Sequence, residues 1–231
     1  MLRQILSDQI ALLTFQPFRP DLRTHYRAYL AYGLVVTWLV GIGRYWDNPN
    51  ADWWQLAGLG SLAYVFILAA LLWIVVAPLR PARWHYREVL LFLTMTSLPA
   101  CLYAIPVEMM MPLPAAQSVN GWFLLIVASW RVILLVLFLK RAAGLSGFAI
   151  VVAALLPLTI IITALGILNL EHVVFNIMAG NGGPPPRSGN DKAYSIIFLL
   201  TLVSMIALPG LLAAYIVLAI QRHRAQRHGA V

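Results

Sequence analysis

Residues 56–79 read LAGLGSLAYVFILAALLWIVVAPL, a run of 24 residues without a charged side chain that ends at Arg80. A helix that crosses a lipid bilayer consists of about 20 consecutive, mostly apolar residues. This run is long enough to cross and contains nothing that would resist insertion. We therefore predict a transmembrane helix here, and the rest of the chain can be tested for the same pattern.

The overall composition agrees with a membrane protein. Of the 231 residues, 61% are hydrophobic and only 10% are charged, and the mean hydropathy is +0.82. Soluble domains are about half apolar and a quarter charged. A single soluble core of this size could not bury so much apolar surface. Lipid is the solvent that fits this composition.

The apolar runs divide the chain into three segments. We predict an all-α, polytopic transmembrane helix bundle of about six spans at residues 26–220, between an amphipathic segment at 1–25 and a basic tail at 221–231. Residues 109–116 read as a surface turn or a short re-entrant piece. Residues 168–178 could form a short surface helix, and residues 179–191 read as an aqueous linker because they are rich in glycine and proline. The six predicted spans are 26–45, 56–79, 89–106, 121–139, 147–168 and 193–220.

Charge in the loops predicts the orientation. With six crossings, most of the basic residues fall on one side and most of the acidic residues on the other. Lysine and arginine concentrate in cytoplasmic loops, so we predict that both termini are cytoplasmic. The basic side carries Arg3, Arg19, Arg23, Arg27, Arg80, Arg83, Arg87, Lys140, Arg141, Arg222, Arg224 and Arg227; the other carries Asp47, Asp52, Glu108, Glu171 and Asp191, with Arg44, Arg187 and Lys192.

The first 15 residues are amphipathic. Leu2, Leu6, Ile10 and Leu13 share one helical face, whereas a secretory signal would be continuously apolar. Two readings stay open: a helix lying on the cytoplasmic membrane interface, or a helix packed against the rest of the protein.

Arg131 is the most informative side chain, because it falls near the middle of the fourth predicted span. A charge at the centre of a membrane helix costs about 2.5–3.5 kcal/mol on insertion scales, so Arg131 should face the bundle or a polar cavity. It could staple helices together through backbone carbonyls, or it could form part of a ligand or ion site. Its candidate partners at similar depth are Thr94, Thr96, Ser97, Ser129 and a carbonyl freed by Pro157.

Prolines inside predicted spans suggest broken helices. Pro99, Pro157 and the Pro209-Gly210 pair lie within apolar runs. Proline removes a backbone donor and clashes with the preceding turn, so kinks are expected. Such breaks can expose carbonyls to an ion or substrate, and they also occur as plain packing features.

The motifs of known chemistries are weak or absent. Residues 144–147 match a GxSG nucleophile pattern, but no histidine lies in a predicted span to act as its base, and Ser146 reads more simply as a helix N-cap. There is no H-E-x-x-H motif and no nucleotide-binding glycine loop. Cys101 is the only cysteine, which excludes an intramolecular disulfide and a cysteine metal cluster. We therefore expect no catalytic residues, no metal and no cofactor.

Residues 122–157 resemble the bacterial members of the Yip1 family. The resemblance rests on Trp130-Arg131, the basic pair Lys140-Arg141, the element at 144–146 and Leu155-Leu156-Pro157, together with Ser97-Leu98-Pro99 in the third span. It implies a helical membrane domain that acts through protein partners and is preceded by a soluble or interfacial segment. Yip1 domains usually have about five spans, whereas the charge pattern here predicts six.

Three functions follow as hypotheses. The first is a non-enzymatic scaffold or subunit of a membrane complex, with a membrane-protein partner or a second copy of itself. The second is a transporter or channel subunit with a polar site around Arg131, and the third is an intramembrane enzyme. The +8 formal charge is spread over short loops, so it reads as topology rather than as nucleic-acid binding. Compactness and arginine-rich loops favour a bacterial inner membrane.

Overall fold

The computed structural model describes residues 1–17, 20, 22–47, 51–82, 84–145, 147–168 and 191–228. All regular structure in these ranges is helical. Two short 3-10 segments, Ala77–Leu79 and Leu98–Ala104, extend α4 and follow α5. The α-helices are α1 (Leu2–Leu13), α2 (Leu22–Gly43), α3 (Trp53–Leu56), α4 (Leu59–Val76), α5 (Tyr86–Met95), α6 (Val107–Met110), α7 (Leu113–Arg141), α8 (Phe148–Ile167) and α9 (Asp191–His228).

Four of these helices contain segments that are long and apolar enough to cross a membrane. They are Leu59–Leu79, Pro114–Arg141, Phe148–Ile167 and Phe198–Ala225, with mean hydropathies of 2.6, 2.5, 2.7 and 2.3. A fifth candidate is the pair Tyr86–Met95 and Leu98–Met110, which is bent by 41°. The membrane character predicted from the sequence is therefore confirmed at four to five candidate spans.

The break in the fifth candidate lies where the sequence places Pro99. Helix α5 ends at Met95, and the chain continues as a 3-10 segment that has proline in its first turn. Pro99 has no N–H to continue the helical ladder. By contrast, α8 is continuous through Pro157 and α9 through Pro209. Of the predicted breaks, only the one at Pro99 interrupts a helix.

Helix α2 packs closely against α4 and α5. A Cβ added to Gly33 would lie 2.5 Å from Oγ1 of Thr94 on α5. A Cβ added to Gly41 would lie 2.8 Å from the side chain of Ser61 on α4. Small residues at helix contacts let backbones approach, which is how membrane helices gain packing energy. The glycines therefore let the backbone of α2 lie close against side chains of the helices beside it.

Helix α1 is packed against the bundle. Ile5, Gln9 and Leu12 are buried, and the amide of Gln9 donates to the carbonyl of Met95 at 3.0 Å. The side-chain oxygen of Gln9 also accepts a hydrogen bond from the hydroxyl of Tyr32, at 2.5 Å. Helix α1 therefore packs against the bundle through one face, while its position at the membrane interface stays a prediction. The other apolar residues, Leu2, Leu6 and Ile10, form an exposed stripe beside the packed face.

Polar contacts bring the basic loops to the same end of the bundle. The guanidinium of Arg80 lies 3.1 Å from Nδ1 of His223, and Arg222 donates to the carbonyl of Leu79 at 3.1 Å. Arg141 donates to the carbonyl of Phe15 at 2.8 Å. These contacts join the ends of α4, α7 and α9 and the segment after α1. We call this the basic end.

Several sequence predictions concern the segments between the predicted spans. Residues 109–116, read as a turn or re-entrant piece, contain the last turn of α6 and the start of α7. Helix α7 therefore begins eight residues before the predicted span at 121. Most of the predicted surface helix at 168–178 and of the predicted linker at 179–191 lies outside the described residues. Ser146 lies outside them as well.

Candidate functional site

Arg131 lies in α7, about 15 Å before the end of that helix at Arg141, given a rise of 1.5 Å per residue. The side chain is half-buried and falls within the apolar segment Pro114–Arg141. Among the described residues it has no hydrogen bond or ion pair. Its one described interaction is electrostatic, with the phenol of Tyr103.

A second arginine approaches the same phenol. Arg44 follows the last residue of α2, and its Cζ lies 5.4 Å from the centre of the Tyr103 ring and 5.6 Å from that of Tyr45. Its Nε and Nη2 atoms are buried and have no hydrogen-bond partner. A cation over an aromatic face gains about 0.5–2 kcal/mol. That gain offsets only part of the cost of leaving buried charged donors unpaired.

Arg44 and Arg131, which we call the arginine pair, therefore share Tyr103 without a described counter-charge. The only ion pair among the described residues joins His85 and Glu88, at the basic end. Two cations near one phenol repel each other, and the repulsion is stronger in a medium of low dielectric constant. An anion beside Arg44 would satisfy its unpaired N–H groups and reduce this repulsion. The arrangement is thus chemically suited to anion binding.

The threonine and serine hydroxyls predicted to lie near Arg131 form hydrogen bonds with backbone carbonyls instead. Thr94 donates to the carbonyl of Leu91 at 2.9 Å, while Thr96 and Ser97 donate to that of Leu93 at 3.0 and 3.2 Å. These bonds occupy carbonyls of the last turns of α5, just before Pro99. The hydroxyls thus help to end the helix in a buried environment.

Ser97 also links α5 to α2. The hydroxyl of Thr37 donates to Oγ of Ser97 at 2.9 Å, and both residues are buried. Ser129, another predicted partner of Arg131, is exposed. The polar group at the α5 break is therefore a helix contact between α2 and α5, formed by residues other than Arg131.

The contact between α8 and α9 contains a polar stripe that the sequence analysis did not single out. Thr159, Thr163, Thr201 and Ser204 are buried there, and the hydroxyls of Thr163 and Thr201 have no hydrogen-bond partner. A Cβ added to Gly166 would lie 2.4 Å from Cγ2 of Thr201. The four-residue spacing of Thr159 and Thr163 was a usable signal, since it places both on one helical face.

The described residues offer no cluster of three or more His, Cys, Asp or Glu side chains that could hold a metal ion. Gly144 and Gly147, which flank the GxSG serine, both have positive φ, at +64° and +51°. Glycine adopts this backbone region without a Cβ penalty, so both glycines serve the turn between α7 and α8. Cys101 is a free thiol and is exposed.

Sequence reasoning found Arg131 and missed Arg44 and Tyr103. Arg131 stands out because it interrupts an apolar run. Arg44 lies at the end of a run beside Tyr45 and Trp46, where a cation is ordinary, so nothing in the local pattern separated it from other loop cations.

Comparison with protein-family models, with curated proteins and with solved structures finds no match to this chain. The resemblance to the Yip1 family therefore rests on the sequence motifs alone.

Proposed function

We propose that this chain is a non-enzymatic integral membrane protein that acts as a scaffold or subunit of a membrane complex, in the manner of Yip1-like proteins. The observation that carries the proposal is the small buried share of α9. Only 6% of its apolar window is buried within the chain, compared with 17% for α7, 33% for α4 and 39% for α8. Because α9 packs along one side only, its other sides can contact a partner helix or a second copy of the chain.

The proposed topology has six crossings with both termini in the cytoplasm. Helix α2 supplies the crossing beyond the four to five candidates, since its 22 residues correspond to about 33 Å, against a bilayer core of about 30 Å. The gathering of Arg80, Arg141 and Arg222 at the basic end supports placing that end in the cytoplasm. We assign the protein to a bacterial inner membrane on the same grounds.

Site-specific photocrosslinking from α9 tests the proposal. Ile206 on α9 and Ile67 on α4 are matched, since both are isoleucines in apolar spans with exposed fractions of 71% and 68%. A photoreactive residue replaces each in turn, and crosslinking is carried out in native membranes. We expect a discrete protein adduct from position 206 and only lipid adducts from position 67. Lipid adducts alone from both positions would argue that α9 faces bilayer.

A second candidate function, an anion transporter or channel subunit, is favoured by the arginine pair. Iodide flux into proteoliposomes gives a direct readout. We expect flux with the native chain, and loss of flux in Arg131→Leu while membrane insertion is retained. Arg131→Lys, which keeps the charge, is the matched control. A native chain without iodide flux would remove this candidate and leave the scaffold proposal standing.

A further inference from the structure

A cavity of about 1110 Å³ opens at the basic end, between the starts of α2 and α5 and the end of α4. Four aromatic rings line it, those of Tyr26, Trp73, Trp84 and Tyr86. Tyrosine and tryptophan favour the headgroup level of a membrane because each ring has a polar tip. The cavity therefore has the chemistry of the membrane interface on its walls.

Side-chain hydrogen bonds to backbone carbonyls and a ring contact hold these walls in place. The indole of Trp84 donates to the carbonyl of Trp73 at 3.0 Å, and the rings of Trp73 and Tyr86 meet edge to face at 6.3 Å. The hydroxyl of Tyr26 donates to the carbonyl of Arg87 at 3.4 Å. Three helices are thus tied together around the cavity, so its shape does not depend on a ligand.

Basic side chains outnumber acidic ones in the cavity. His25, Arg27, His85 and Arg87 line it, and Glu88 is the one acidic side chain among its lining residues. Nδ1 of His85 lies 3.6 Å from the carboxylate of Glu88, so this acid faces a histidine rather than an arginine. The two arginine charges in the cavity are left without a described carboxylate.

These two arginines differ from three others at the same end. Arg80, Arg141 and Arg222 each have a described acceptor. The guanidinium of Arg87 lies over the ring of Tyr26, with 5.8 Å between Cζ and the ring centre, and has no described acceptor. Arg27 is exposed and has none among the described residues either. Two guanidinium groups without a described acceptor therefore line the same cavity.

We propose that this cavity binds the phosphate of an anionic phospholipid headgroup, with Arg27 and Arg87 as the donors. A phosphate diester offers oxygens that guanidinium groups bind as forked pairs. A lipid is the source that fits, because the cavity wall at Trp73 continues into exposed apolar residues of α4, with Ile74 58% exposed. Acyl chains can lie along this surface while the headgroup occupies the basic cavity. The inference depends on membrane insertion and not on a partner at α9.

Native mass spectrometry of the delipidated chain in detergent, titrated with phosphatidylglycerol, tests the proposal. We expect saturable binding that weakens about 25-fold in Arg27→Gln/Arg87→Gln, since each cation near a membrane surface contributes about fivefold. The control is Lys140→Gln/Arg224→Gln, which removes the same charge from the basic end without touching the cavity. Equal weakening in both double variants would overturn the proposal, because it would show attraction to net charge only.

Two further measurements distinguish a lipid from a free phosphate and keep the proposal testable if the arginine variants do not fold. Soluble glycerol 3-phosphate should bind far more weakly than the lipid; equal affinity would mean a free phosphate ligand and would refute the lipid assignment. Glu88→Gln removes the one carboxylate from the cavity, so lipid affinity should rise several-fold. Unchanged or weaker binding in this variant would also contradict the proposal, even if the arginine variants failed to fold.

Discussion

Replacement of Gly33 by alanine should destabilise the bundle at the contact between α2 and α5. The new Cβ would lie 2.5 Å from Oγ1 and 2.8 Å from Cβ of Thr94, which is fully buried. Carbon atoms in contact are normally about 3.5–4.0 Å apart, so the two helices must separate by about 1 Å. Overpacking of a dense interior costs about 1–3 kcal/mol.

Gly121→Ala is the matched control, because a Cβ added to that glycine of α7 meets nothing within 4 Å. Alanine in a helix is favoured over glycine by about 1 kcal/mol, so the control should be neutral or slightly stabilised. The two variants carry the same chemical change on different helices. Their difference therefore isolates the helix contact from helix propensity.

Thermal unfolding in mild detergent, followed by tryptophan fluorescence, measures the effect. A loss of about 2 kcal/mol corresponds to a Tm lower by about 4–8 °C in a chain of this size. Thr94→Ala should recover part of the loss in the Gly33→Ala background, since it removes the closest atom. If Gly33→Ala proved as harmless as Gly121→Ala, α2 would not lie against α5 in the membrane.

Three other variants probe the remaining contacts. Gln9→Leu removes the amide that binds the Met95 carbonyl, so we expect faster proteolysis of the segment containing α1; an unchanged cleavage rate would contradict the packed position of that helix. Thr201→Val replaces a buried hydroxyl without a hydrogen-bond partner by a methyl group, and the Tm should stay level or rise, whereas a clear fall would reveal an unseen partner. Tyr103→Leu removes the ring under Arg44 and should lower the Tm by a few degrees, while Tyr103→Phe keeps the ring and should not; equal effects of both would refute the cation–ring contact.

The long spans could be predicted from the sequence because the length of an apolar run is enough to identify them. The predicted span at 56–79 corresponds to Leu59–Leu79, and that at 147–168 to Phe148–Ile167. The start of α7 was missed because residues 113–120 include a glutamine, a serine and an asparagine, which lower the hydropathy of the first two turns. Helices continue past the apolar core when their ends lie in the interface, and hydropathy carries no signal for that.

Contacts between distant segments could not be predicted from one sequence. Gln9 lies within an amphipathic pattern, and nothing near it in the sequence indicates that its amide binds the carbonyl of Met95, 86 residues away. Arg44 is similar, since its importance depends on Tyr103 and Arg131 from two other segments. A local sequence pattern indicates burial and periodicity, whereas a functional site depends on which distant segments lie together in the fold.

The most direct test of the central claim is the mass of the particle extracted from its native membrane by a detergent-free polymer and measured by native mass spectrometry. The account predicts a discrete assembly in which this chain is accompanied by a stoichiometric membrane partner or a second copy, and which dissociates when bulky residues replace Ile206 on α9. A particle that contains one copy of the chain with lipids alone would contradict the claim that the protein acts as a subunit.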